Sequence, residues 1–297
     1  MQIIGASMMK FTAHIESMRL LSEALASECQ SIRFGAEFCE LKIPTLEQLK
    51  VAYAETREAG KSFCYVTPIV SEIGVKKLRE HFTYLKQLDD VEVVIGDFGA
   101  INMAKDAGTL NLRLGRTRVY IPARSPWPQI TRVPNVPQPA LQRVEEIFYQ
   151  TGLSYRRSLE FYRNCGINAA DVDWIPRCFQ SYADLVKSGL NIAVHLNAIP
   201  VTVTEKCHMA RFLGEEDYTS CSRPCQSKAL SIKQNDLGVK LVLCGNVAFS
   251  AVNPGADDVK KLQLLGIDEI VISMNPATKL LTSGEVNNTI AHLVSQL

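Results

Sequence analysis

The 297-residue chain is poor in the short motifs that mark common enzyme classes. Neither Gly-rich phosphate motif occurs: there is no G-x-G-x-x-G and no G-x4-G-K-S/T, which argues against dinucleotide and P-loop nucleotide binding. There is no H-E-x-x-H and no local Ser/His/Asp or Cys/His signature, so hydrolysis, peptide hydrolysis included, is disfavoured. Charge of one sign is also missing. Thirty-two basic and 31 acidic residues leave a net +1, which disfavours a large nucleic-acid footprint but permits a local basic patch. No apolar run reaches the roughly 18 residues of a membrane span. The opening stretch MQIIGASMMKFTAH has no basic segment followed by an apolar one. The expectation is therefore no signal peptide, and a cytoplasmic location.

What is present is ordinary globular composition, 46% hydrophobic and 21% charged, in a length that suits one large α/β domain or two smaller ones. Short apolar runs alternate with amphipathic stretches. Strands are expected at 2–6, 31–38, 62–69, 91–98, 111–120, 170–176, 191–199, 239–251 and 267–274. Helices are expected at 14–27, 45–60 (capped by Thr45), 74–88, just after 98, and at 141–163, 180–188 and 257–266. Apolar strands each followed by a helix are the signature of parallel βα units. The expected fold is α/β: a TIM-like (β/α) barrel in a single domain over 1–297, with a doubly wound open sheet as the alternative. Residues 121–140 hold six prolines and read as an insertion or loop.

Nine cysteines are the chemically loaded feature. A reducing compartment and an odd count both speak against a disulfide framework. Three cysteines are close, as Cys207-x13-Cys221-x3-Cys225, with Lys206, Arg211, Arg223 and Lys228 around them. Structural zinc sites usually use two close C-x2-4-C pairs, and only one exists here. Iron–sulfur clusters commonly take three nearby cysteines and one distant one. On residues alone an iron–sulfur cluster, a zinc ion and unliganded thiols all remain open. The stretch follows the 191–199 strand, on the rim where barrel enzymes gather their active sites. Cys39, at the end of the second expected strand, shares that rim and is the candidate fourth ligand, with Cys178 its rival. Cys244 lies in an apolar strand pattern, and Cys29 and Cys165 lie on or near helices. His195 in its strand and Arg211 are the candidate catalytic groups. Asp97, Asn102, Arg116 and Arg211 are candidate substrate-binding groups because polar residues near strand ends line barrel pockets. His208 and Glu37 are weaker candidates of the same kind.

The stretch VHLNAIPVTVTEKCHMARFLGEEDYTSCSRPC resembles the signature region of the U32 family, historically called peptidases, through His195, Cys207, Arg211, Cys221 and Cys225. FGAEFC, ending in Cys39, and DFGAINM at 97–103 are similar to the ubiquinone-biosynthesis branch of that family. The resemblance runs over most of the chain and is weakest at 121–170. It implies one [4Fe–4S] cluster on Cys39, Cys207, Cys221 and Cys225. It also implies a UbiU-like U32 partner in a heterodimer, a UbiT-like lipid-carrier protein, and O2-independent hydroxylation of a ubiquinone precursor with prephenate as oxygen donor. Two alternatives belong to the same resemblance: an RNA hydroxylase acting on a pyrimidine, and a non-catalytic cluster-bearing partner subunit. In two places the chain departs from that branch: ELKIP follows Cys39 where a basic run is usual, and the proline-rich segment has no counterpart.

Overall fold

The structure, a computed structural model, describes residues 9–108, 110–125, 137–215, 217, 220–234, 239–252 and 254–295. Eight parallel strands close a barrel. They are β1 (Lys10–Ile15), β2 (Ser31–Phe34), β3 (Ser62–Val66), β4 (Glu92–Ile95), β5 (Asn111–Leu114), β6 (Ala169–Asp173), β7 (Asn191–His195) and, last in sequence, β12 (Glu269–Met274). β12 pairs with both β7 and β1 and so seals the cylinder. Helices α1 (Leu21–Ala26), α2 (Leu46–Glu58), α3 (Glu72–Leu85) and α4 (Phe98–Ala107) follow the first four strands, and α5 (Gln138–Phe148) and α6 (Arg156–Asn164) share the β5–β6 connection. After β6 comes α7 (Phe179–Lys187). This is the (β/α) barrel that the strand–helix rhythm predicts.

Between β7 and β12 the chain departs from a plain barrel. It builds a second, antiparallel sheet from β8 (Ala198–Val203), β9 (Leu230–Gln234), β10 (Val239–Cys244) and β11 (Val247–Ala251), in the order β8-β11-β10-β9. A five-residue helix α8 (His208–Phe212) sits between β8 and β9, and α9 (Ala256–Leu264) leads into β12. The expected 191–199 strand is thus two strands in two sheets, split at Leu196 and Asn197. The 239–251 segment is a hairpin rather than one strand. The closing helix α10 (Ser283–Val294) packs on α1 and α9.

Other boundaries differ for local reasons. The expected strand at 2–6 and residues 126–136 of the proline-rich segment lie outside the described residues. β1 takes KFTAHI, the beginning of which a helical reading had left aside, and only Leu21–Ala26 of the expected 14–27 helix is α-helical. The expected 141–163 helix is two, broken at 149–155, where Thr151 N–H bonds Ser181 Oγ instead of continuing the helical ladder. α2 starts as expected, with Thr45 and Gln48 forming a reciprocal capping box.

Strand alternation divides the barrel into two layers. Phe11, Ala13 and Ile15 of β1, Ile32 and Phe34 of β2, and Ile270 and Ile272 of β12 join the main apolar core under the helices. The other face points into the lumen and is strongly polar. Arg33 pairs with Asp171 on the opposite wall and, at 3.0 Å, with Glu269. Arg113 lies 2.9 Å from Glu92 and 3.4 Å from Glu269. Most barrel interiors are packed with branched aliphatics. Here buried ion pairs cross the lumen, beside a small apolar cluster of Cys64, Val66 and Val94.

Candidate metal centre

The C-terminal mouth of the barrel is where the second sheet docks. Arg116, two residues beyond β5 rather than inside a strand, is the tie. Its Nε and one terminal nitrogen donate to Glu37 at 2.8 and 2.5 Å, and the other terminal nitrogen donates to Asp173 and to the Ala198 carbonyl, both at 2.8 Å. Glu37 and Asp173 come from the barrel and Ala198 from the second sheet, so one buried side chain joins both bodies. Asp173 also takes Arg124 at 2.6 Å. Phe38, Val247, Phe249 and Cys244 then close over the mouth with Phe38 edge-on to Phe249. The remaining cavity at the mouth is about 10 Å³, about the room one water needs.

The larger cavity lies beside the mouth, about 560 Å³, and Cys39, Cys207, Cys221 and Cys225 all line it. That volume is in the range of small-molecule sites, about 300–1,000 Å³. Each cysteine is set by a different device. After β2 the chain turns at Gly35, whose φ of +136° and whose Cβ position 2.2 Å from the Val66 carbonyl exclude any side chain. That turn sends Glu37 to Arg116 and Cys39 to the cavity, five residues past the strand. Cys207 caps α8, its Sγ accepting from Ala210 N–H at 3.4 Å. Cys221 Sγ accepts from Arg223 N–H at 3.3 Å. Cys225 is buried in the short turn Pro224–Gln226.

A hairpin turn that the sequence reading passed over holds these segments together. Gly245 and Asn246 join β10 to β11, and Gly245 has φ +68°, as a tight two-residue hairpin requires at its first centre. Asn246 Nδ2 donates to the Phe38 and Thr204 carbonyls, both at 2.8 Å, tying the Cys39 segment to the segment before Cys207. Met209 N–H bonds the Gly245 carbonyl at 3.3 Å, which fixes α8. A Cβ on Gly245 would stand 3.4 Å from Cys225 Sγ, so the turn also walls Cys225. The signal was the dipeptide Gly-Asn between two apolar runs. Replacing Asn246 with alanine is expected to strand two carbonyls and lower unfolding free energy by about 1–3 kcal/mol, measured by urea denaturation. An unchanged midpoint would remove Asn246 from this role.

Electrostatics around the thiols are led by Lys42. This side chain is buried, held 2.5 Å from Glu16, and burial of its charge is more than offset by Glu16 and the neighbouring thiols, so its pKa is raised. Burial pushes the Cys39 and Cys225 thiols up, with Lys42 acting against it, and burial pushes Cys221 up as well. Deprotonating these three is helped by a bound cation, as in thiolate metal sites. The cationic setting expected from the sequence is balanced at the rim: four basic and four acidic residues line the cavity, and Lys42 is the buried one among the cations. Among the described residues no three His, Cys, Asp or Glu converge on a point suited to a single ion. Four soft thiols are a donor set of the kind that iron–sulfur clusters, zinc and Cu(I) take.

Of the other nominated residues, Arg211 lines this cavity and the rest lie elsewhere. His195 is buried in the lumen, Nε2 3.1 Å from Asp171, its Nδ1 without a partner among the described residues. Burial, then Arg116, hold its pKa well below the usual histidine value, so it is neutral. It does not line the cysteine cavity. Arg211 and Cys207 do, while His208 is exposed on α8. Asp97 caps α4, its Oδ1 accepting from Gly99 N–H at 2.6 Å, and Asn102 is exposed on α4. Arg116 has four of its five N–H donors committed to protein groups. Cys178 is buried beside Tyr182, and burial pushes its pKa up to about 11. Cys244 donates to the Cys225 carbonyl at 3.4 Å behind the cavity.

No protein-family model and no curated protein matches the chain. Among solved structures, the chain is similar to the U32 peptidase Mk0906 at 12% identity and TM-score 0.45, covering 92% of this chain and 95% of that one. It is similar to N-(5'-phosphoribosyl)anthranilate isomerase from Pyrococcus furiosus at 7% identity and TM-score 0.47, covering 98% and 100%. At these values the barrel assignment rests on the chain's own strand pairing. Among the described residues no helix is long and apolar enough to cross a membrane.

Proposed function

We propose that this chain is a U32-type iron–sulfur protein, most like UbiV, in which Cys39, Cys207, Cys221 and Cys225 hold one [4Fe–4S] cluster. In this reading it works as a heterodimer with a UbiU-like subunit and a UbiT-like lipid carrier. The activity is O2-independent hydroxylation of a ubiquinone precursor, with prephenate as oxygen donor. The observation that carries the reading is that three thiols close in sequence and a fourth, Cys39, some 170 residues upstream, line one cavity. The cluster, when bound, supplies one-electron chemistry. The chain's own groups do the rest. The N–H groups of Ala210 and Arg223 already point at Cys207 and Cys221 sulfur, a contact that tunes cluster potential. Lys42, kept charged by Glu16, offsets the negative charge of a four-thiolate cluster from the buried side. The closed barrel mouth leaves room for about one water beside the Arg116 network, and the larger cavity next to it is the space left for substrate.

The test is anaerobic co-expression with a UbiU-like subunit, followed by an assay under argon with a quinone precursor and prephenate. Hydroxylated product that needs both chains and prephenate supports the reading. Unchanged precursor in the presence of intact clusters contradicts it.

A further inference from the structure

A second cavity of about 130 Å³ lies on the barrel's C-terminal rim, between the β1 loop and the Cys221–Cys225 turn. We propose that it is a binding site for a small anion, a phosphate or carboxylate group, held by Arg19 and Arg223. The argument is the chemistry of its walls. Both arginines line it, and neither guanidinium has a side-chain partner among the described residues. Ser17 and Gln48 add donors. Ser17 Oγ accepts from Arg19 N–H at 3.3 Å, and its O–H has no acceptor among the described residues. Gln48 Oε1 accepts from Thr45 N–H at 2.9 Å, and its NH2 has no acceptor among the described residues. Glu16 is the one acid on the wall, and its carboxylate is taken up by Lys42 at 2.5 Å and the Glu37 N–H at 3.4 Å. A pocket lined by two free guanidinium groups and further donors suits a group that only accepts.

Two further observations point the same way. Arg223 has φ +58° and ψ +50°, a left-handed conformation that is costly for a residue with a Cβ. That strain places its side chain on both this cavity and the cysteine cavity. The cavity also lies at the end of the barrel where such folds bind ligands, phosphates among them. The volume suits one phosphate or the carboxylate end of a larger acid. The inference stands on residues that hold no metal and does not rest on the cluster.

Isothermal titration of the full-length protein with inorganic phosphate and, separately, malonate tests it. One equivalent of saturable binding is expected for at least one of the two. Arg19→Ala and Arg223→Gly should each weaken it about tenfold or more, the effect of losing one charged hydrogen bond. Arg156→Ala, which breaks only an exposed pair with Glu160, should not. Arg19 is exposed, so its variant keeps the test valid if the Arg223 variant fails to fold. Binding of phosphate alone assigns a phosphate or phosphoester, and binding of malonate alone assigns a carboxylic acid. No saturable binding of either, or binding unchanged in the Arg19 variant, overturns the proposal. Metal content is untouched by these readouts, so this failure is distinct from failure of the cluster reading.

Discussion

Cys225→Ala protein purified under argon is expected to retain almost no iron, whereas Cys178→Ala protein retains the wild-type amount. Cys225 lies in the wall of the large cavity, fixed by the Pro224–Gln226 turn and by the close approach of Gly245. In the proposed reading its removal takes one of four thiolate ligands, and cluster assembly with three needs an outside ligand. Cys39→Ala should behave the same way, although it lies some 170 residues upstream, because it lines the same cavity. The controls are demanding because they are also buried thiols. Cys178 is fully buried against Tyr182 and does not line the cysteine cavity. Cys244 is closer still, its thiol bonded to the Cys225 carbonyl and its pKa pushed up to about 12 by burial. Cys244→Ala should nonetheless keep its iron. Loss of iron from the Cys244 variant with retention in the Cys39 variant would reassign the fourth ligand.

Arg116→Met is expected to cost about 3–5 kcal/mol, the penalty for leaving a buried charge without its partner. That is a large share of the roughly 5–15 kcal/mol by which domains are stable. Glu37 carries the loss, since Arg116 is its only ion-pair partner among the described residues, whereas Asp173 keeps Arg124. Adding Glu37→Gln to Arg116→Met should restore part of the deficit, which a double-mutant cycle reads directly. The pH dependence gives an independent check. In the wild type, burial acts to raise the pKa values of Glu37, Asp173 and Glu269, but the neighbouring guanidinium groups outweigh it and all three lie below ordinary carboxylate values. Their contribution is therefore complete above about pH 4 and is lost as pH falls below it. In Arg116→Met, burial acts on Glu37 with its main cation gone and raises its pKa. The variant's deficit should then shrink as pH falls and Glu37 is protonated. A deficit that is constant from pH 7 to pH 4 would contradict this account of the network.

The sequence shows some of this plainly and hides the rest for physical reasons. The βα rhythm was legible because helices such as α2 carry their caps and apolar stripe locally, and the barrel follows from repetition. The first strand was not, because its last two residues, His14 and Ile15, also fit the helical spacing of the segment that follows. The second sheet was hidden because β8 continues straight from β7, and the change of sheet lies in tertiary contacts through Asn197 and Arg116. The polar lumen was beyond reach for a similar reason. Arg33 and Asp171 are separated by 138 residues, and nothing near either names the other. At the candidate centre the cysteine spacing is visible in the chain. Lys42 is one lysine among many in the sequence, and only its contact with Glu16 beside Cys39 and Cys225 sets it apart.

The most direct test of the central claim is iron, acid-labile sulfide and zinc analysis of the wild-type chain purified without oxygen. The account predicts a brown protein with about four irons and four sulfides per chain and no stoichiometric zinc. A colourless protein with one zinc per chain, or with neither metal after anaerobic reconstitution with iron and sulfide, would contradict it.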